Sequence, residues 1–244
     1  MIYAYRSDTG LRNHNEDSFY IPGDGERPVV IVADGMGGHR AGEVASCRAI
    51  ERIVDYIRKA ESGLGSITLL RQAINDANRD VFEASIGSDE FTGMGTTAVM
   101  ALLAPEKYTV ANIGDSRLYH YDGSRLRRVT NDHSYVQELV SSGLITEQQA
   151  REHPQRNLVT RAIGTSRFEK ADVGVKRWKR GDVLMLCSDG LCGVVDDIDM
   201  ERIIRSTPDL LDCCDLLTQL ALKCGSTDNI TVVMVRNAEV GADA

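Results

Sequence analysis

At 244 residues, 42% of them hydrophobic, the chain is long enough to bury a full core and is read as one domain spanning 1–244. A net charge of -8 at pH 7 excludes a nucleic-acid partner held by bulk charge. The opening MIYAYRSDTG has no apolar leader, and no apolar run nears the ~18 residues of a membrane helix, so a cytoplasmic protein with no membrane segment is expected.

In chain order, strand signals come first at 18–21 and at 29–33, where VVIVA stops on Asp34 and is followed by three glycines within four residues. Amphipathic patterns over 41–60 and 68–84, linked by ESGLGS, predict a helical pair. FTGMGTT lacks the lysine and spacing of a nucleotide loop and reads as a tight turn entering a strand. Further strands are predicted over 96–103, 108–112, 117–121, 125–130, 183–187 and 230–236, with a third helix over 210–223. RLYHYDGSRLRRV turns at Asp122 and Gly123, the signal of an antiparallel hairpin. Strands and helices fall in segregated groups, which makes the fold class α+β. Residues 132–165 are polar throughout, with only short helical patterns, and read as an excursion from the core. The six cysteines form no CxxC pair and mostly sit in apolar patterns, as reduced buried thiols do.

The acids at the ends of these strands carry the chemistry. Asp34 ends one strand, Asp189 follows another in LCSDGL, Asp228 precedes one in STDNIT, Asp115 follows one in NIGDSR, and Glu16 and Asp17 adjoin another in RNHNED. Taken singly, each is an ordinary turn residue, because Asp-Gly and Asp-Asn are strong turn signals. Taken together, acids at several strand ends, two of them followed by glycine, are what hard oxygen ligation requires. With no His or Cys among them, the cation is expected to be Mg²⁺ or Mn²⁺ rather than Zn²⁺.

In one order along nearly the whole chain stand RNHNED (12–17), VADGMGGH (32–39), GTT (95–97), ANIGDSR (111–117), DHS (132–134), HPQRNLVTRAIG (153–164), LCSDGL (186–191) and TDNITVV (227–233). Through them the sequence resembles the metal-dependent protein phosphatases of type 2C, in their bacterial branch. The resemblance implies a four-layer α-β-β-α sandwich of two antiparallel sheets flanked by helix pairs, with 132–165 as a flap. It implies two divalent cations, Mn²⁺ or Mg²⁺, with Asp34 bridging both, the Gly35 carbonyl on one, Asp189 and Asp228 on the other, and Glu16 and Asp17 holding their waters. A metal-bridging hydroxide would then attack phosphoserine or phosphothreonine in proteins, with Arg12 gripping the phosphate. Asp115 would share a third, weaker cation with Asp189.

In the eukaryotic branch a histidine follows directly after the Asp-Gly. Here Met36 stands in that place, and His39, three residues later, is the candidate for proton transfer. Phosphorylated proteins are the partners implied, a Ser/Thr kinase or its substrates among them. Two alternatives stand beside this reading: a metal-dependent hydrolase of small phosphate esters, and a non-catalytic regulatory module with a phosphatase fold. The second would have lost acids at the metal positions, whereas Asp34, Asp189 and Asp228 are all present.

Overall fold

A computed structural model of the chain describes residues 1–37, 41–61 and 63–238. One sheet joins β1 (Ile2–Asp8), β11 (Ile230–Arg236), β10 (Val183–Cys187), β7 (Arg117–Tyr121) and β8 (Leu126–Arg128) in that order. The other runs β2 (Asp17–Tyr20), β3 (Val29–Met36), β5 (Ala98–Leu103), β6 (Lys107–Ile113) and β9 (Asp172–Arg177), with β4 (Gly95–Thr96) paired to the end of β3. Both sheets are antiparallel throughout.

Side-chain alternation along each strand builds the layers. In β3, Val29, Ile31 and Ala33 pack under the long helices α1 (Ala41–Lys59) and α2 (Ser66–Gly87), meeting Ala45, Ala49, Ile53, Leu70, Ile74 and Val81. The intervening Val30 and Val32 face the other sheet and meet Leu184, Leu186, Val233 and Val235. On that sheet's far side, Met185, Val232 and Met234 pack against α6 (Asp197–Ser206) and α7 (Leu210–Lys223). Helix spacing i, i+4 on one side and strand spacing i, i+2 on the other thus give the expected four-layer α-β-β-α sandwich. Ile53 and Ile74 are fully buried between helix and sheet, where truncation to alanine costs about 2–5 kcal/mol.

The predicted hairpin forms as expected. Asp122 Oδ1 accepts from the Ser124 and Arg125 amides at 3.0 and 2.9 Å, and Gly123 takes φ +86°. Between β8 and β9 the excursion contains α3 (Tyr135–Ser141) and α4 (Glu147–Arg151), each capped by a hydroxyl, Ser134 and Thr146. Its two limbs meet in a bridge between Ser134 and Val159, and its return pairs Ile163 with Thr96 of β4.

Several elements depart from the sequence reading. The predicted strand 96–103 is two, β4 and β5, separated at Thr97, where the Asp34 amide donates to the Thr97 hydroxyl at 3.0 Å rather than to its carbonyl. Strands β1 and β9 and helix α6 were not predicted. Both strands are sheet edges with mostly exposed or half-exposed side chains, so neither shows the alternation of a half-buried strand. Helix α6 buries only Met200 and Ile204, too few apolar positions to mark a helical face.

Candidate active site

The two sheets bring the strand ends that carry the acids to one edge of the sandwich. Asp17 and Asp34 are paired across β2 and β3, so their side chains share one face. Asp189 opens the short helix α5 (Asp189–Cys192) directly after β10, Asp228 lies just before β11, and Asp115 lies between β6 and β7. Burial and mutual repulsion mark these acids as one group. Asp34 titrates well above the usual carboxylate range because it is buried, with the charges of Asp17 and Asp189 adding to the effect. Burial likewise pushes Asp17 up to about 7, against the Ser188 hydrogen bond that favours its charged form, and Asp115 up to about 8, helped by the charge of Asp189. Asp189 and Glu16 are raised too, again chiefly by burial.

Close backbone approach is what lets these acids gather. A Cβ on Gly35 would fall 2.1 Å from the Gly42 carbonyl oxygen and 2.6 Å from that of Glu16. One on Gly190 would fall 1.9 Å from the Asn229 carbonyl oxygen, so α5 and the Asp228 segment touch only because residue 190 has no side chain.

Arg12 lies in the loop after β1, half-exposed, and its guanidinium pairs with Asp228 at 2.8 Å. It is therefore at the acids, as a phosphate-gripping group must be, and in this structure occupied with one of them. Among the described residues no three Asp, Glu, His or Cys side chains already stand in a metal-holding arrangement. His39 lies outside the described residues.

Three polar residues whose roles the sequence did not disclose hold the acids in place. Ser188 Oγ donates to Asp17 Oδ2 at 2.7 Å and accepts from the Thr231 amide at 3.0 Å, leaving Asp17 Oδ1 buried without a partner. Thr97 Oγ1 accepts from the Asp34 amide at 3.0 Å and bonds Ser116 Oγ at 2.7 Å. Asn229 Oδ1 accepts from the Glu16 amide at 2.8 Å, while its Nδ2 donates to the Thr9 and His14 carbonyls, both at 2.9 Å, fixing the loop that bears Arg12. Each belongs to a motif quoted above, but its partner is distant in sequence and has no sequence signal.

At the root of the excursion, Asp132 accepts from Arg117 at 2.8 Å and pairs with Arg128 at 2.6 Å. Beyond it a cavity of about 450 Å³ opens beside Asp115 and Asp189, walled by Val136 and Val140 of the excursion and by Val194 and Val195. The Arg151–Asp196 ion pair also lines it. A larger cavity of about 810 Å³ lies at the α1–α2 corner and includes none of these acids. Cys187, Cys192, Cys213 and Cys214 are buried, and all six cysteines are free.

A carboxylate set with one unpartnered buried oxygen and no soft donor fits a hard divalent cation. The sandwich with acids at its strand ends is the architecture of the phosphatase class that the motifs resemble. A family model described as Protein phosphatase 2C matches residues 8–223. The chain is 38% identical over 251 residues to the serine/threonine phosphatase stp of Listeria monocytogenes, with all of both chains covered. Its structure is similar to that of the serine/threonine phosphatase Stp1 from Staphylococcus aureus, with TM-score 0.89, 35% identity, and 96% of this chain and 94% of that chain covered. It is similar also to the catalytic domain of the serine threonine protein phosphatase PstP in complex with two manganese ions, with TM-score 0.85, 35% identity and 96% of each chain covered. The chain belongs to the protein phosphatase 2C family. Among the described residues no helix is long and apolar enough to cross a membrane.

Proposed function

We propose that the protein is a phosphoserine and phosphothreonine phosphatase that works with two divalent cations, Mn²⁺ or Mg²⁺, and that residues 1–244 form one catalytic domain with 132–165 as its flap. The observation that supports this most is the convergence of Asp17, Asp34, Asp115 and Asp189, each raised chiefly by burial and then by the charge of a neighbouring acid, at one edge of the sandwich. Asp34, the Gly35 carbonyl, Asp189 and Asp228 would hold the two cations, with Glu16 and Asp17 ordering water around them and Asp115 with Asp189 offering a looser third position. When bound, such cations supply a water nucleophile at neutral pH and offset the charge of the phosphoryl group.

The remaining work falls to the chain's own groups. Ser188 holds one Asp17 oxygen, while the other is buried without a hydrogen-bond partner. Arg12 exchanges Asp228 for the substrate phosphate, whose two oxygens match the guanidinium fork. Phosphorylated proteins are the substrates, with a Ser/Thr kinase or its targets in the cytoplasm as the partners we favour. The names of the relatives support this reading: stp and PstP are both called serine/threonine phosphatases. A panel of phosphoserine, phosphothreonine and phosphotyrosine peptides beside small esters, with Mn²⁺, Mg²⁺ or chelator, tests it. Hydrolysis of small esters alone would overturn the protein-substrate assignment.

A further inference from the structure

Asp115 stands between two residues that are each held from outside, Ser116 by its hydroxyl and Gly114 by its backbone. On one side Ser116 is fixed through its hydroxyl by Thr97. On the other, Gly114 has φ +104°, and a Cβ there would fall 2.5 Å from the Thr97 Cβ, so the position admits no side chain of its own to steady it. What steadies Gly114 is His133. The Gly114 amide donates to His133 Nδ1 at 3.2 Å in a buried contact, and the Gly114 carbonyl accepts from the His133 amide at 2.9 Å. Asn112 Nδ2 adds a longer contact to the same carbonyl at 3.3 Å.

His133 is also the root of the flap. Its carbonyl accepts from the Thr160 amide at 2.8 Å, and the bridge between Ser134 and Val159 begins at the next residue, so one position ties both flap limbs to the Asp115 loop. Because an N–H points at Nδ1, that nitrogen keeps its lone pair and the ring proton sits on Nε2. Nε2 faces Asp172 Oδ2 at 3.4 Å, too far for a good hydrogen bond, and is otherwise without a partner. A buried imidazole with one ring nitrogen so placed has its tautomer set by the Gly114 amide rather than by an acid partner.

We propose that His133 is a positioning residue: through Nδ1 it sets the Gly114 peptide and hence the direction of the Asp115 carboxylate, and it couples the flap to the outer cation position. This rests on Asp115 bearing an outer cation, as proposed above. The role belongs to one acceptor atom rather than to the bulk of the ring, which makes it separable from packing. Asparagine places its Oδ1 where Nδ1 stands. Leucine keeps the volume without the acceptor, and glutamine carries its carboxamide out to the Nε2 position.

The test uses the metal-stripped full chain as parent, His133→Asn, His133→Leu, His133→Gln and Asp115→Ala. Two quantities are read: hydrogen exchange of the Gly114 amide by NMR, and a calorimetric Mn²⁺ titration. In His133→Leu the Gly114 amide should exchange about tenfold faster or more, and the weakest Mn²⁺ step should weaken about tenfold, the scale of one buried hydrogen bond, with the tighter steps unchanged. His133→Gln should behave as His133→Leu, and it decides the matter if the leucine variant does not fold. His133→Asn should stay within about twofold of the parent in both readings, since its oxygen accepts the same bond. Parent-like exchange and titration in the leucine and glutamine variants would overturn the proposal. So would an asparagine variant as impaired as leucine, since the ring's volume would then be what matters. If Asp115→Ala leaves the weakest Mn²⁺ step intact, the outer-cation reading fails and the coupling to it fails too, while Gly114 exchange still decides whether His133 fixes the loop.

Discussion

Replacing Thr97 by valine removes one hydroxyl and nothing else of consequence to shape. The parent side chain is 1% exposed, and its oxygen is the acceptor for the Asp34 amide at 3.0 Å and the partner of Ser116 Oγ at 2.7 Å. Valine leaves both groups buried without that partner, at about 1–3 kcal/mol each, so Thr97→Val should destabilise the fold by about 2–6 kcal/mol. Thr97→Ser keeps both hydrogen bonds and loses only a methyl, a cost of about 1 kcal/mol. Urea unfolding of the metal-free variants at one pH measures the difference directly. The same pair should separate in function, because Ser116 and the Asp34 amide position two of the site acids: Mn²⁺-dependent turnover should fall about tenfold or more in Thr97→Val and little in Thr97→Ser. A valine variant within about 0.5 kcal/mol of the serine variant, with equal turnover, would refute the claim that this hydroxyl organises the strand ends.

Arg12→Ala should raise KM about tenfold at unchanged Mn²⁺ affinity and leave stability within about 1 kcal/mol, because the Arg12–Asp228 pair is solvent-exposed; an unaltered kcat/KM counts against a phosphate grip. Metal-free stability should fall as pH rises from about 4 to 8. Asp17 at about 7 and Asp115 at about 8 hold protons in the fold that an aspartate of ordinary pKa 3.8 releases in the unfolded chain, so their contribution is full below 3.8 and is lost through the folded values. Mn²⁺ displaces those protons, so its gain in Tm should be larger at pH 8 than at pH 6, and equal gains would contradict the assignment. Asp34→Asn removes a buried carboxyl whose ionisation is opposed by burial and by the charges of Asp17 and Asp189, and should therefore melt higher than the parent without metal at pH 8 while gaining less from Mn²⁺; thermal melts with and without Mn²⁺ decide this.

The sequence made the apolar framework legible and left the polar fastenings hidden. VVIVA announces β3 because both faces of that strand are buried, and the stop at Asp34 is visible in the same stretch. β1 was missed because Ile2 and Tyr5 are exposed at an edge, so apolar residues do not alternate there with the period of a core strand. The break at Thr97 was missed because GTTAVMALL carries no turn residue after Gly95; a hydroxyl bonding to residues 34 and 116 ends the strand pairing, and no local pattern encodes that. The acids themselves could be gathered by residue type and position at strand ends. The roles of Ser188, Asn229 and His133 could not, because each acts on a segment far along the chain or on another element. Arg12 was expected on a phosphate and is found on Asp228, a pairing that follows from its place among acids.

The central claim is that these strand-end carboxylates make a divalent-cation phosphatase for phosphorylated serine and threonine. Its most direct test is hydrolysis of a phosphothreonine peptide by metal-stripped protein, titrated with Mn²⁺, beside Asp34→Asn shown by circular dichroism to be folded. The parent should be inactive in chelator and recover with saturable dependence on Mn²⁺, while Asp34→Asn stays about a hundredfold or more below it at every Mn²⁺ concentration, as loss of a group needed for the chemical step requires. Full turnover by the parent in chelator, or parent-like rates in the folded asparagine variant, would contradict it.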